Sequence, residues 1–145
     1  MNNSLTEDQI KVLNMSQSVI NEVKKVIIGK DEIIIKVLLS ILAGGHILIE
    51  DIPGVGKTTL AVALSKALSL DYKRLQFTPD VLPTDVTGFT ILNKETHKFE
   101  YKQGAALTNL FLADEINRTS SKTQSALLEV MEEGKVTVCL LYTSD

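Results

Sequence analysis

The spacing of apolar residues divides the chain into helices and strands. In the N-terminal segment these residues recur at intervals of three and four, which predicts an amphipathic helix that Gly29 ends. Ser4 with Glu7, or Thr6 with Gln9, can form a capping box at its start. The segment DEIIIKVLLSILA is apolar on nearly all sides and predicts a second, buried helix that ends at Gly44-Gly45. The predicted buried face of the first helix holds Ile10, Leu13, Ile20, Val23 and Ile27.

Short apolar runs predict the strands of a sheet. HILIE and NLFLADE are expected to be buried on both faces, as strands of a parallel sheet are, while RLQF and KVTV predict further strands. Helices are predicted after DIPGVGK and over SSKTQSALLEVMEEG, where Ser121 and Gln124 can form a capping box. FTILNKETHKFEY predicts a β-hairpin around a polar turn. Because strands and helices alternate, the predicted fold is an α/β layer structure with a mainly parallel sheet.

Composition limits the kind of protein without identifying it. The chain has 145 residues, 44% of them hydrophobic and 23% charged, which is enough to bury a core in one domain. The formal net charge of −3 argues against a surface dedicated to nucleic acid. The start of the chain is polar and acidic, unlike a secretory signal, and the longest apolar run is about half of the 20 residues that span a bilayer. We therefore expect a cytoplasmic protein without a membrane span.

GVGKTT is the core of a phosphate-binding loop. In such a loop backbone N–H groups converge on an anion at a helix N-terminus, and Gly54 and Gly56 allow the close approach. Lys57 is expected to contact the β- and γ-phosphates, and the Thr58 hydroxyl to bind Mg²⁺. Asp51 stands where the full pattern has glycine. Its short carboxylate can bond local N–H groups, so aspartate is tolerated at that bend.

Two acids end the predicted strand NLFLADE. Asp114 at the tip of a neighbouring strand can hold the water shell of Mg²⁺, and Glu115 is then placed to polarise an attacking water. A GTPase would require Asp-x-x-Gly here, but the fourth residue is Asn117. A small-molecule kinase usually lacks the paired acids. The pattern therefore favours an ATPase that uses ATP and Mg²⁺.

Three stretches together resemble the MoxR family of AAA+ ATPases. They are HILIEDIPGVGKTTLA, LQFTPDVLPTDVTG and NLFLADEINRTSSKTQSALLEVMEEGKVTV, and the resemblance covers about residues 5–138. It implies a phosphate-loop NTPase (AAA+) fold: a parallel sheet flanked by helices, incomplete here, with a β-hairpin insert. It also implies that aspartate is an accepted residue at position 51. The nucleotide-binding residues that it implies are Asp51, Pro53, Gly54, Val55, Gly56, Lys57, Thr58 and Thr59.

The resemblance implies further roles outside the two motifs. Ile28 and Gly29 correspond to a stretch that packs on adenine, although a plain helix break is the alternative. The resemblance implies that Arg118 reaches a neighbouring subunit, and an ordinary surface arginine is the alternative. The full-length protein is expected to form a ring oligomer, a hexamer, that remodels or matures client proteins. A partner with a von Willebrand A-type domain is a further expectation.

The hairpin at residues 89–101 corresponds to the insert through which this clade contacts its clients. A purely structural hairpin is the alternative. A DNA-remodelling ATPase is a third reading, but Lys94, Lys98 and Lys102 are offset by Glu95 and Glu100. Neither His97 in the turn nor His46 before a strand is expected to bind a metal, and His46 is expected to be a structural histidine.

The resemblance ends at about residue 138, so we expect residues 1–138 to be the N-terminal part of an AAA+ core. Residues 139–145, CLLYTSD, do not resemble the family and are expected to be foreign or divergent. The strand carrying the first sensor, the arginine finger and the helical lid would then be absent. HILIE would lack its neighbouring strand, and residues 1–145 would bind nucleotide without turnover and aggregate through the open edge.

Overall fold

The computed structural model describes residues 5–50, 56–134 and 137–142 of the chain. Within them the helices are α1 (Glu7–Lys24), α2 (Asp31–Leu42), α3 (Lys57–Ala67), α4 (Pro83–Thr87) and α5 (Ser121–Glu132). The strands are β1 (Ile47–Glu50), β2 (Tyr72–Gln76), β3 (Gly88–Asn93), β4 (Lys98–Gln103), β5 (Leu110–Asp114) and β6 (Thr137–Tyr142). A 3-10 turn at Ile116–Arg118 follows β5.

Four of these strands form a parallel sheet in the order β1-β6-β5-β2. The predicted α/β class and the parallel sheet flanked by helices are therefore confirmed. β3 and β4 pair antiparallel and form the predicted hairpin, separate from that sheet. Since all four strands of the main sheet run the same way, their carboxyl ends lie along one edge, where ligands of open α/β sheets bind.

Apolar residues cover both faces of the sheet. Leu110 and Leu112 of β5 pack toward α3 and Ala61, whereas Phe111 and Ala113 pack toward α4 and α5. These four apolar side chains of β5 are fully buried, so the strand predicted from NLFLADE is buried on both faces, as expected. α1, α2 and α3 form a second cluster on the α3 side. The acids that end β5 thus follow directly on the buried core of the sheet.

The position beside β1 is occupied, contrary to the expectation that its neighbour is missing. β6 pairs with β1 on one side and with β5 on the other. It runs from Thr137 to Tyr142 without a break and so passes through the boundary predicted after residue 138. A central strand accepts apolar side chains that pack against its neighbours, whatever their origin, which is why Cys139 and Leu140 fit there. That residues 139–145 are foreign stays a prediction.

Two segments predicted to be buried are in fact partly exposed. β1 has no described strand on its other edge, and Leu48 on its outer face is 55% exposed. α2 buries Ile34 and Leu38, but its opposite side faces solvent through Ile33, Ile35, Leu39 and Leu42. The prediction that α2 is buried, made from its hydrophobicity on nearly all sides, was wrong because the described elements cover α2 on one side only.

The helix starts refine the predicted caps. Thr6 and Gln9 form the capping box of α1, as one of the two alternatives predicted. The N-terminal half of α1 is nevertheless exposed at Ile10 and Leu13, so the predicted buried face is buried only toward its end. In α5 the cap is Ser120, whose hydroxyl accepts from the Thr123 N–H, and the prediction of Ser121 was wrong by one residue.

Candidate functional site at the carboxyl edge of the sheet

Strand register brings the two predicted motifs to the same level of the sheet. Ile49 of β1 and Asp114 of β5 both pair with Leu141 of β6, one from each side. Two strand spacings of about 4.8 Å therefore separate Asp114 from β1. The described end of β1 therefore lies roughly 10 Å from Asp114. The sheet thus provides the proximity that the two motifs require.

The phosphate loop itself lies largely outside the described residues. Asp51, Pro53, Gly54 and Val55 belong to residues 51–55, so their predicted roles stay predictions. Gly56 is described and has φ +76°, in the left-handed region that residues with a Cβ rarely adopt. A Cβ added there would meet no described protein atom within 4 Å. Glycine is required at this position by its backbone conformation and not by crowding.

The start of α3 is electrostatically unusual. α1 and α2 carry acids in their first turns, Glu7 with Asp8 and Asp31 with Glu32, which suits the positive end of a helix dipole. α3 instead begins with Lys57, has no acid in its first turn and receives no side-chain cap among the described residues. Positive charge and N–H donors therefore converge at this end of the helix, which is the arrangement that binds an anion.

Lys57, Thr58 and Thr59 all lie in the first turn of α3. Lys57 and Thr58 are partly buried and Thr59 is exposed. Lys57 lines a small recess together with Gly56 and Ile49, and the link between α1 and α2 closes the recess through Ile27 and Lys30. The predicted phosphate contacts are thus on one turn of helix, beside the end of β1.

Ile28 and Gly29 lie in the link between α1 and α2. Ile27 is buried in the core, whereas Ile28 is 85% exposed and Gly29 has φ +75°. The turn at Gly29 sends Ile28 outward next to the recess at Lys57. An exposed aliphatic side chain in this place is compatible with packing on a base, and that role stays a prediction.

Asp114 is held by an arginine that the sequence did not single out. Arg74 of β2 donates from Nη2 to Asp114 Oδ2 at 2.5 Å and from Nε to the same oxygen at 3.2 Å. The Asp114 side chain is 15% exposed and that of Arg74 43%. The hydrogen bond to Asp114 raises the pKa of Arg74, opposed by partial burial. The two hydrogen bonds therefore fix the orientation of the Asp114 carboxyl group.

Glu115 is held from two directions. Arg118 donates from Nη1 to Glu115 Oε2 at 2.7 Å, and Gln76 of β2 donates to the same oxygen at 3.5 Å. The hydrogen bond from Arg118 is the main reason that the pKa of Glu115 lies below its ordinary value, although burial acts to raise that pKa. The backbone of Glu115 is left-handed, with φ +56°. A carboxylate ionised at neutral pH can accept a proton from water or polarise it.

The structure places Arg118 on Glu115 of its own chain. Its side chain is 57% exposed, so one contact within the chain leaves much of the guanidinium accessible. The predicted reach to a neighbouring subunit stays a prediction. Arg74 and Gln76 were missed because their role depends on how β2 pairs with β5, where Gln76 lies beside Asp114. Polar residues at alternate positions of RLQF were the available signal.

The oxygen donors at this edge suit a magnesium ion that arrives with phosphates. Asp114 offers a carboxylate and Thr58 a hydroxyl, both hard ligands. Among the described residues no cluster of three or more His, Cys, Asp or Glu side chains could enclose a metal. Mg²⁺ commonly binds through one or two carboxylates plus substrate phosphates and water, and does not need such a cage. The donor set therefore fits Mg²⁺ bound together with a nucleotide.

The remaining titratable groups have structural surroundings. His46 accepts from the Val138 N–H through Nδ1, and its Nε2 lies 2.9 Å from the Met131 carbonyl oxygen, to which it donates. This bonding confirms His46 as a structural histidine that ties β1 to β6 and α5. His97 lies exposed in the hairpin turn with φ +53°. Burial raises the pKa of the Cys139 thiol to about 12, which makes it a poor nucleophile.

A separate cavity of about 370 Å³ lies away from these groups. Val86, Tyr101, Leu107, Thr108 and Glu129 are among its lining residues, so it opens beside α5 and the base of the hairpin. Val86 packs with Phe111 and Ala113, on the face of the sheet opposite to α3. The cavity is therefore no part of the site at the carboxyl edge.

Of the helices that the structure describes, none has the length and apolarity needed to cross a bilayer.

Comparison with known proteins agrees with this geometry. Residues 46–143 match the family model described as the ATPase family associated with various cellular activities (AAA). The chain is 57% identical over 119 residues to the uncharacterized protein YeaC of Bacillus subtilis and 42% identical over 117 residues to the chaperone MoxR1 of Mycobacterium tuberculosis. These matches cover 82% and 81% of this chain but 37% and 31% of the relatives.

A solved structure has the same fold. The crystal structure of an ATPase candidate from Cytophaga hutchinsonii superposes with a TM-score of 0.80 at 39% identity, over 92% of this chain and 44% of that one. The chain thus spans about a third of the length of the curated relatives and less than half of the solved structure. The matched part contains both motifs of the candidate site.

Proposed function

The chain belongs to the AAA family of ATPases, in its MoxR group, and from that membership we propose that it binds ATP and Mg²⁺ at the carboxyl edge of its sheet. We propose further that the full-length protein hydrolyses ATP. The observation that carries the proposal is the start of α3, where Lys57 and the N–H groups of the first helical turn converge beside the end of β1, the strand whose Ile49 lies level with Asp114.

Each residue of the site has a distinct part in this proposal. The backbone at Gly56 and the Lys57 ammonium bind the phosphates, and Thr58 with Asp114 would hold the magnesium ion. That ion supplies charge neutralisation at the phosphoryl oxygens when bound. Glu115 orients the attacking water and accepts its proton, which requires the ionised carboxylate that Arg118 favours. Ile28 and Gly29 are proposed to pack on the adenine.

Lys57→Ala tests the phosphate site directly. Hydrogen bonds to charged groups are worth about 1.5–3 kcal/mol, so the variant should bind ATP–Mg²⁺ at least roughly tenfold more weakly in calorimetry. Lys66→Ala is the matched control, because it removes the same charge from the last turn of the same helix. Equal affinities of the parent and Lys57→Ala would reject the site.

For the whole protein we propose a ring oligomer, with a hexamer as the expected form, that remodels client proteins. The AAA membership and the MoxR relatives support the proposal. A partner with a von Willebrand A-type domain belongs to the same proposal. Light scattering of the full-length protein with and without ATP tests the ring.

The hairpin is the proposed client contact. One face carries Leu92, Phe99 and Tyr101, of which Phe99 is 78% exposed. On the other face the Lys102 ammonium lies 3.6 Å from a Glu100 carboxylate oxygen, so this lysine is partly neutralised, and the exposed apolar face favours a protein client over DNA. Phe99→Ser should lower client remodelling with little change in basal ATP turnover. Loss of both equally would indicate a structural hairpin.

A nucleotide-binding module without turnover is the second candidate, for residues 1–145 as they stand. β6 fills the place beside β1 that was predicted empty, but the other edge of β1 pairs with no described strand, so aggregation through an open edge stays a prediction. The expectation of negligible turnover rests on the predicted absence of the arginine finger. That element is worth about 10³–10⁵ in rate in related enzymes. Phosphate release measured over a concentration series of the 145-residue chain decides between the two.

A further inference from the structure

Arg74 and Asp114 form the most constrained polar contact at the carboxyl edge. Both Nε and Nη2 of Arg74 donate to one oxygen, Asp114 Oδ2, at 3.2 and 2.5 Å. Arg74 comes from β2, the strand that pairs with β5, two residues before the position level with Asp114. Side chains two residues apart on a strand lie on the same face, so register alone delivers the guanidinium to the acid.

The contact has an electrostatic reason. Asp114 follows four fully buried apolar residues of β5 and its own side chain is only 15% exposed. A carboxylate in such surroundings has lost part of its hydration. Two charge-assisted hydrogen bonds from a planar guanidinium offset that loss and fix the rotation of the carboxyl group. Since both end on Oδ2, they leave the lone pairs of Oδ1 for a different partner.

We propose that Arg74 is a positioning residue that holds the Asp114 carboxyl group turned so that Oδ1 is available to the magnesium ion or to its bound water. This inference rests on the proposed nucleotide site and adds a residue to it. The partners that orient a metal ligand from outside typically change metal affinity by about 10–100-fold when they are lost. In this proposal Arg74 acts on the metal ion only through Asp114, to which it is bound.

The test measures ATP binding to the full-length protein by calorimetry over a series of Mg²⁺ concentrations. The Mg²⁺ midpoint is the Mg²⁺ concentration at which the gain in ATP affinity is half-maximal. For Arg74→Gln we expect this midpoint to rise by about tenfold or more, with the affinity for ATP in EDTA unchanged. Arg74→Lys should recover little, because an ammonium is a point donor without the planar fork. Lys66→Gln, an exposed cation on α3, should leave the Mg²⁺ midpoint at the parent value.

A double variant separates positioning from general loss of structure. If Arg74 acts through Asp114, then Arg74→Gln adds no further shift once Asp114→Asn is present, and thermal unfolding shows whether each variant is folded. An unchanged Mg²⁺ midpoint in folded Arg74→Gln would overturn the inference. A lowered midpoint would also overturn it, because Arg74 would then compete with the cation. Failure of the parent itself to bind ATP would reject the proposed function instead.

Discussion

The start of α3 and the end of β5 face the same edge of the sheet, but different parts of the chain hold them in place. At α3 the proposed binding groups are backbone N–H groups and one lysine within a single turn, which follows the left-handed Gly56. At β5 the two acids are held by side chains of other segments, Arg74 and Gln76 from β2 and Arg118 from the following turn.

This contrast determines how each half can fail. A helix N-terminus keeps its dipole and its donors whatever most of its side chains are, so the phosphate half depends on backbone geometry. The acid half depends on ion pairs whose strength varies with burial and pH. Substitutions in the acid half should therefore change turnover and metal dependence, whereas those in the phosphate half should change nucleotide affinity.

The largest expected effect is at Glu115. In the full-length protein Glu115→Gln should lower ATP turnover by about 100-fold or more with nucleotide affinity retained, because an amide cannot accept the proton of the attacking water. Turnover is measured by phosphate release and affinity by calorimetry. Glu132→Gln, the same change at an exposed position of α5, is the control. Parent-like turnover in Glu115→Gln would show that another group is the base.

A smaller effect is expected from Gly56→Ala, which addresses the phosphate half. An alanine in the left-handed region costs roughly 1–2 kcal/mol, and relaxing that strain would turn N–H donors away from the anion. Loss of one charge-assisted hydrogen bond should weaken ATP binding by roughly tenfold.

Gly134→Ala is the matched control for this strain. Gly134 has φ +66° after α5 and, like Gly56, leaves an added Cβ without a protein neighbour within 4 Å. Both variants should lose similar thermal stability, and only Gly56→Ala should lose nucleotide affinity. Equal affinities in the two variants would mean that the backbone at Gly56 does not shape the site.

Much of this comparison was accessible from the sequence because the motifs are local. Gly56, Lys57, Asp114 and Glu115 are recognised from runs of a few residues flanked by apolar segments, and the structure places them at one edge. The parallel sheet and the hairpin followed from alternation in the same way. Local pattern and tertiary structure agree wherever an element's surroundings are fixed by its own sequence.

The parts that were missed depend on pairing between distant segments. Arg74 and Gln76 gain their role from the register of β2 against β5, some forty positions along the chain. The exposure of Leu48 and of the outer side of α2 depends on which elements cover them. The place of β6 beside β1 was predicted empty because resemblance ended at residue 138, whereas strand pairing requires only a suitable apolar segment.

The smallest expected effect concerns the hydrogen bonds that Arg118 and Gln76 donate to Glu115. It tests whether side chains of other segments hold the acid half of the site. Arg118 is the main cause that lowers the pKa of Glu115, and Gln76 contributes less. Carboxyl NMR titration of the 145-residue chain should therefore show a rise of that pKa toward 4.5 in Arg118→Gln and a smaller rise in Gln76→Leu. Arg118→Lys, which keeps the charge, should stay nearest the parent. An order in which Gln76→Leu gave the larger rise would contradict the assignment.

The same shift fixes the sign of a stability effect. A depressed pKa in the folded state contributes stability that is fully present above the unfolded value, near 4.5, and is lost as the pH falls through the folded pKa. The contact is partly exposed, so its contribution should be about 0.2–1 kcal/mol. The difference in unfolding free energy between parent and Arg118→Gln should thus be present at neutral pH and vanish well below pH 4.5. A difference that persisted in acid would come from packing of the Arg118 stem and not from its charge.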